Sequence, residues 1–384
     1  MHISNDIRYI GVNDFQIDLF EGQYPVPGGM AYHSYVILDE KIAVMDTVDA
    51  KFGEEWMEKL AAVLEGRTPD YLVVQHMEPD HSSNIRRLMD AYPEAVVVAT
   101  QKAFAMISQF FGTDYADRRI VAAEGSKLSL GAHELTFLTA PMVHWPEVML
   151  TYDAKDQVLF SADAFGKFGA LGAEEDWACE ARRYYFGIVG KFGAQVQALL
   201  KKIAGLEIEK ICPLHGEMIS ENLGYYLDKY RTWSSYAAED EGVTIACASI
   251  YGNTMKAAHL LADKLRARGV KANVFDLARC DMFEAVEDAF RYDKLVLAAS
   301  SYNGGVFPFM QTFIHHLTER NYQNRMVAVV ENGTWGPTAA RTMLKLLEGT
   351  KNLTYAETAV TIRSALNEAS EAALDKLADE LCAE

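Results

Sequence analysis

The sequence predicts an α/β protein of two domains: a strand-rich first half of packed sheets covered outside by helices, then a small doubly wound five-stranded parallel sheet. Three observations predict it. The 384 residues are 50% apolar and 11% aromatic, ample for packed cores in more than one domain. Short β-like runs dominate up to about residue 240, and after it strands and helices alternate regularly. Between the halves lies the polar stretch 234–242 with its acidic Glu239-Asp240-Glu241, which reads as a linker, so the domains are expected at 1–241 and 242–384.

In the first half, β-like runs fall at 7–12, 32–38, 42–46, 95–100, 135–138 and 148–152, with helical patterns at 53–65, 83–91 and 102–111. In the second, strands are expected at 243–248, 271–277, 294–299, 326–330 and 354–361, and helices at 255–268, 309–318, 338–347 and 365–381. A doubly wound sheet binds its ligands at the carboxyl ends of its strands.

A formal charge of −18 and a pI near 5.0 argue against nucleic acid or an anionic membrane as partner, because both demand a basic face. The chain has no apolar run long enough to span a bilayer, and its first residues lack the pattern of a signal peptide, so a cytoplasmic protein is expected. Cys179, Cys212, Cys247, Cys280 and Cys382 are scattered without a C-x-x-C pair. They suggest neither disulfides nor sulfur ligation, and no rubredoxin-like module.

The richest chemistry follows the apolar run 71–74. Gln75-His76-Met77-Glu78-Pro79-Asp80-His81 puts four metal-type ligands within six residues, on what reads as a strand breaking into a loop. Two imidazoles and two carboxylates so close would repel or lie unsatisfied without a shared cation. So much carboxylate suits iron or manganese as well as zinc. Further candidates stand where apolar runs turn: His144 between Pro141 and Pro146, Asp163 within Phe160-Ser161-Ala162-Asp163-Ala164-Phe165, and His215 after Pro213. Singly each has a bland reading as a core or cap residue; jointly they complete a ligand set.

The second half carries a second signal. After its first strand, Ser249-Ile250-Tyr251-Gly252-Asn253-Thr254 opens directly into a helix, an arrangement that cradles a phosphate monoester without a basic side chain. The loop is neither the dinucleotide nor the P-loop pattern, which favours a mononucleotide. Ser300-Ser301-Tyr302-Asn303-Gly304-Gly305 follows the third strand and Glu331-Asn332-Gly333-Thr334-Trp335-Gly336 the fourth, each with an aromatic that can face a flat ring.

Those three loops resemble flavodoxin, which implies FMN, with its phosphate at Ser249 to Thr254 and its ring between the loops bearing Tyr302 and Trp335. The ligand set resembles the metallo-β-lactamase superfamily, whose motif is His-x-His-x-Asp-His followed by a later His, a bridging Asp and a last His. Glu78 stands where the second histidine normally would. The whole chain, including Ala181-Arg182-Arg183-Tyr184-Tyr185, thus resembles the flavodiiron proteins (A-type flavoproteins) of the short class. In that class a metallo-β-lactamase-like αββα sandwich precedes a flavodoxin-like domain.

The resemblance implies that His76, Glu78 and His144 hold one iron and Asp80, His81 and His215 the other, with Asp163 bridging. It implies reduction of O₂ to water or of NO to N₂O, as a scavenging defence. The electrons come through FMN from a rubredoxin, another flavoprotein or a reduced deazaflavin. A head-to-tail homodimer or dimer of dimers is implied, since flavin and metals belong to separate domains. Two metals about 3.5–4 Å apart can clamp both reacting atoms. His33, Tyr184 and Tyr185 are proton-donor candidates. Two departures bear on tuning. Near residue 25 many relatives carry a histidine beside the metals, in a run ending Tyr-Asn-Ser-Tyr, where this chain has Tyr24-Pro25-Val26 and ends Tyr32-His33-Ser34-Tyr35, which leaves the O₂-versus-NO preference open; Thr334-Trp335-Gly336-Pro337 replaces a more glycine-rich loop, which suggests an altered flavin potential. The competing readings are a binuclear zinc hydrolase fused to a flavodoxin-like module and a pure electron carrier on a metal-free scaffold. Zinc has no redox chemistry for a flavin to serve.

Overall fold

A computed structural model describes residues 2–173 and 176–383. In the first half, six short strands cross one sheet in chain order: β1 (Ile7–Tyr9), β2 (Tyr35–Ile37), β3 (Ala43–Met45), β4 (Tyr71–Val73), β5 (Val96–Thr100) and β6 (Arg119–Ala122). The first three pair antiparallel. From β3 onward the pairing is parallel, across crossovers that contain helices Gly53–Leu64, Ile85–Ala91 and Gln101–Phe111. Helix Gly53–Leu64 buries Trp56, Leu60 and Leu64, a stripe four residues apart that fits one face of an α-helix.

A second sheet orders β7 (Lys127–Ser129), β8 (Glu134–Thr139), β9 (Met149–Asp153), β10 (Val158–Phe160) and β11 (Lys210–Cys212). Its first four strands are antiparallel neighbours, and β11 joins β10 in parallel. Tyr35, Ile37, Met45 and Val73 of the first sheet share one buried cluster with Leu135, Phe137, Met149 and Phe160 of the second, so the sheets face each other. The expected run 7–12 divides into Ile7–Tyr9 and Val12–Asp14, and the latter pairs with Met30–Tyr32 instead of joining the sheet. Gly11 permits the break: a Cβ there would stand 2.6 Å from the Tyr32 carbonyl oxygen.

The second half forms a parallel sheet of β12 (Asp240–Ala248), β13 (Ala272–Asp276), β14 (Tyr292–Tyr302), β15 (Arg325–Asn332) and a fifth strand in two pieces, β16 (Leu353–Tyr355) and β17 (Val360–Ile362). The order is β13-β12-β14-β15, and both pieces of the fifth strand pair with β15. This is the doubly wound topology with its switch point beside β12. Helix Met282–Arg291 was not among the expected elements. Its acids obscured the stripe Phe283, Val286 and Phe290, yet Asp281 caps it and Asp288 is a buried acceptor for Thr244 Oγ1 (2.7 Å) and Asn273 Nδ2 (2.8 Å). The acidic run read as linker is ordered too, with Trp233 Nε1 donating to Glu239 (2.7 Å) and Asp240 paired with Arg291 (2.8 Å).

The chain divides into two compact units, Met1–Tyr185 with Ala194–Arg231, and Phe186–Gly193 with Thr232–Glu384. In the second unit Phe186 stacks on Phe290 with ring centroids 3.9 Å apart.

Candidate functional site

Every expected metal ligand sits just beyond the carboxyl end of a strand or in the turn that follows. β4 runs through Val74 and Gln75 into His76, and this exit is pinned by Asp46 at the end of β3. The Asp46 carboxylate accepts Gln75 N (2.7 Å) and Gln75 Nε2 (2.8 Å). Burial pushes the Asp46 carboxyl up to about 6 while those bonds pull it back. Asp80 and His81 lie on the helical turn Pro79–Ser82, not on an open loop as expected, because Pro79 fixes the first helical position. Thr47 Oγ1 ties that turn to the first sheet by donating to the His81 carbonyl (2.6 Å).

His144 stands in the loop after β8, next to Met142 in left-handed backbone (φ 66°). Asp163 follows β10 in a turn whose Ala162 (φ 50°) and Phe165 (φ 68°) are also left-handed, and Phe165 N donates to Tyr230 Oη (2.7 Å). Non-glycine residues in this region are strained and cluster at functional sites. His215 follows β11, and its Nδ1 donates to the Ala31 carbonyl (2.7 Å).

These seven side chains converge in two adjoining sets. In the first, Glu78 Oε2 is 3.2 Å from His76 Nε2 and 3.0 Å from His144 Nε2. In the second, Asp80 Oδ2 is 3.3 Å from His81 Nε2 and 3.4 Å from His215 Nε2. Asp163 joins them, with Oδ2 3.1 Å from His144 Nε2 and 3.4 Å from His76 Nε2, and Oδ1 3.4 Å from His81 Nε2. The electrostatics are those of buried carboxylates set among imidazoles, with ligand atoms of each set within 4.8 Å of one another. Burial opposes it, but the bonds to Asp163 and Glu78 raise His144 to about 9, and burial raises Asp80 to about 7. Despite burial, His76 and its imidazole neighbours hold Asp163 well below the carboxylate range.

In the second half, a cleft of about 360 Å³ opens at the carboxyl end of the parallel sheet, lined by all three expected loops. The loop after β12 gives way to helix Asn253–Ala267, whose N-terminus presents Ser249 and Thr254; Thr254 Oγ1 lies 2.9 Å from Ser300 Oγ. Gly252 and Gly305 do not line the cleft. Gly252 (φ 87°) makes the turn into the helix, and Gly305 closes a hairpin against Tyr302. Ile250, Tyr251, Asn253, Ser301, Tyr302, Asn303, Gly304, Asn332, Gly333, Thr334, Trp335 and Gly336 all line it. Tyr251 and Trp335 are 93% and 92% exposed, large aromatics in the open where a flat ring would cover them.

Comparison with known proteins follows the same division. The ODP family beta lactamase model matches residues 30–216, and the flavodoxin model matches residues 245–360. The chain is 29% identical over 371 residues to a nitric oxide reductase of Moorella thermoacetica, covering 94% of this chain and 92% of that protein. An anaerobic nitric oxide reductase flavorubredoxin of Aeromonas hydrophila is 28% identical over 362 residues, 91% of this chain and 73% of that one. In fold it superposes on the rubredoxin oxygen:oxidoreductase of Desulfovibrio gigas with a TM-score of 0.91, at 24% identity and covering 100% and 97% of the two chains. The flavodiiron protein of Giardia intestinalis gives 0.92, at 24% identity and 99% and 96% coverage. The chain joins a beta-lactamase-like domain to a flavodoxin domain, in the two-domain fold of the flavodiiron proteins.

The side chains fit a non-haem pair of irons and FMN. Both oxygens of Asp80 and Oδ1 of Asp163 are buried without a hydrogen-bond partner, a costly state that cations would relieve. The mixed nitrogen and oxygen set suits iron. The loop after β12 offers hydroxyls and a helix N-terminus, and none of the described residues that line the cleft is charged, which suits a phosphate monoester held by amides. A third cluster, Asp6, His133 and Asp156, has its cation already, because Lys155 pairs with Asp6.

Sequence reasoning missed the residues behind the ligands. Asp46 and Glu147 are buried acids that hold His76 and its approach, and each interrupts an apolar stretch, the signal that could have found them. Thr338 and Ser364 also line the cleft of the second half, beyond the three loops expected. Among the proton-donor candidates, burial pushes His33 down to about 3, and its Nδ1 is taken by the Pro213 carbonyl (3.0 Å). Tyr184 is different. Its ring lies 5.6 Å from that of His215, and its hydroxyl is buried with no hydrogen-bond partner.

Proposed function

We propose that this chain is a flavodiiron protein that reduces O₂ to water or NO to N₂O, or both, at a pair of irons, with electrons that pass through FMN from an external donor. The observation that carries the reading is the two-sided placement of Asp163, whose two oxygens face two separate sets of nitrogen and carboxylate donors. In this reading His76, Glu78 and His144 hold one iron, Asp80, His81 and His215 the other, and Asp163 bridges. When bound, the irons supply Lewis acidity and two electrons, and FMN supplies the two that replenish them.

The chain's own residues do the rest. Glu78, Asp80 and Asp163 balance the metal charge, and Glu78 in place of a histidine makes the donor set more anionic, which favours the oxidised metals. Phe20, Tyr32 and Tyr184 pack around His215 with ring centroids 5.4–5.8 Å away and exclude water from that side. The Tyr184 hydroxyl keeps its proton, because burial and the charge of Asp163 raise it well above the usual phenol range. In this reading it is the O–H that donates to a substrate oxygen at the metals.

Ser249 and Thr254 would hold the FMN phosphate, with Tyr302 and Trp335 beside its ring. The finer assignments are part of the same reading: a head-to-tail homodimer or dimer of dimers in the cytoplasm, with a rubredoxin, another flavoprotein or a reduced deazaflavin as donor. Among the described residues no helix is long and apolar enough to cross a membrane. Metal analysis with anaerobic stopped-flow mixing of the reduced protein against each gas tests the function. Two irons and one FMN per chain, reoxidised by O₂ or NO within the mixing experiment, is the expected result; two zinc ions with no reoxidation would refute it.

A further inference from the structure

The imidazoles of the metal centre are not held alike. Each set has two histidines, one carboxylate of its own and one oxygen of Asp163, so the donor counts of the two sets match. What breaks the match lies behind them. His76 Nδ1 donates to Glu147 Oε1 at 2.9 Å, and the same oxygen accepts Met77 N at 2.8 Å. Glu147 is fully buried, and its Oε2 has no hydrogen-bond partner, so its hydrogen bonding is directed to this one approach. In the other set, His215 Nδ1 faces the neutral carbonyl of Ala31 (2.7 Å), and His81 Nδ1 is buried with no partner.

We propose that Glu147 is a positioning residue that makes His76 the strongest nitrogen donor of the centre. It thereby holds the iron on the His76, Glu78 and His144 side at a lower reduction potential than its neighbour. A carboxylate behind a ligating imidazole fixes the ring and raises its basicity, and a more basic donor stabilises the ferric over the ferrous ion. The first electron then reduces the iron of the Asp80, His81 and His215 set, and the second reduces the other. No atoms are transferred; one ferric ion becomes ferrous at each step, with electrons from the external donor.

The inference rests on the diiron reading, and the test separates the two. Wild-type protein, Glu147→Gln and Glu147→Asp are loaded with iron, assayed for metal, and titrated anaerobically while EPR follows the half-reduced centre. Fewer than two irons in the wild type defeats the diiron reading itself. With two irons bound, the wild type is expected to take up its electrons in two resolved steps. Glu147→Gln keeps an acceptor oxygen for both N–H groups and removes the charge. It is expected to draw the steps together, lowering the comproportionation constant at least tenfold, a shift of about 59 mV. Glu147→Asp, which keeps the charge, is expected to restore part of the separation. A wild type that takes both electrons at one potential overturns the proposal without any variant, as does Glu147→Gln with an unchanged separation. Should Glu147→Gln fail to hold iron, Glu147→Asp and the wild-type titration decide: a single unresolved step in both overturns it, and resolved steps in both uphold it.

Discussion

The Nε2 atoms of His81 and His215 lie 3.0 Å apart, yet only one of the two rings is anchored. His215 Nδ1 is held by the Ala31 carbonyl, whereas nothing bonds His81 Nδ1. An anchored imidazole loses less freedom on binding metal, and outer partners of this kind contribute about 10- to 100-fold in affinity. His215→Asn is therefore expected to weaken metal binding at least tenfold more than His81→Asn, read by competition with a chelator. Equal losses would contradict it.

Loading with metal should release protons. In the metal-free protein burial raises the Asp80 carboxyl to about 7, and His144 is raised to about 9, against burial, by its bonds to Asp163 and Glu78. A metal must displace both protons, so affinity should rise as the pH increases from 6 to 8, with Asp80 ceasing to contribute above about 7 and His144 above about 9. The same Asp80 shift has a folding consequence. A carboxyl raised in the folded state stabilises the metal-free protein below its unfolded value of 3.8, and that contribution is lost as the pH rises through about 7. Ferrous titrations in weak buffer with a pH indicator, and melting of the metal-free protein between pH 5 and 8, check the two halves.

Tyr184→Phe removes the buried hydroxyl and little else, because that oxygen has no hydrogen-bond partner to strand. Turnover with O₂ or NO is expected to fall about tenfold or more, in keeping with the loss of a positioned proton donor, while metal and FMN content stay at wild-type levels. Unchanged turnover would remove Tyr184 from the reaction.

Thr254→Val keeps the shape of a side chain buried at the start of helix Asn253–Ala267 and deletes its hydroxyl. FMN should dissociate about tenfold more readily, a loss of about 1.4 kcal/mol. Visible absorbance during dialysis against buffer reads it, with the fold monitored by circular dichroism.

The flavodoxin-like half was the more legible of the two. Its central strands β12, β14 and β15 are largely buried on both faces and read as apolar runs, so they and β13 were placed within a few residues, and the loops at their ends carried their own turn chemistry. Helix Met282–Arg291 escaped because Glu287 and Asp288 lie on its buried side, where tertiary hydrogen bonds to Thr244 and Asn273 satisfy Asp288. The division of the expected strand 354–361 at Ala356 to Ala359 also depends on neighbours, since both pieces are defined by pairing to β15.

By itself the sequence determined the residue types: seven nitrogen and oxygen donors at the ends of apolar runs, and three turn-forming loops after strands. Composition and local periodicity carry that information, because a ligand must leave its strand to reach a metal and a phosphate must meet free amides. Only the tertiary structure decided which oxygen of Asp163 faces which set, that Asp46 pins the exit of β4, and that Glu147 stands behind His76 and no other histidine. Those relations join residues up to 87 positions apart in the chain, as with His76 and Asp163, or the 71 between His76 and Glu147. No local pattern encodes contacts of that range; they exist only once two sheets have packed face to face.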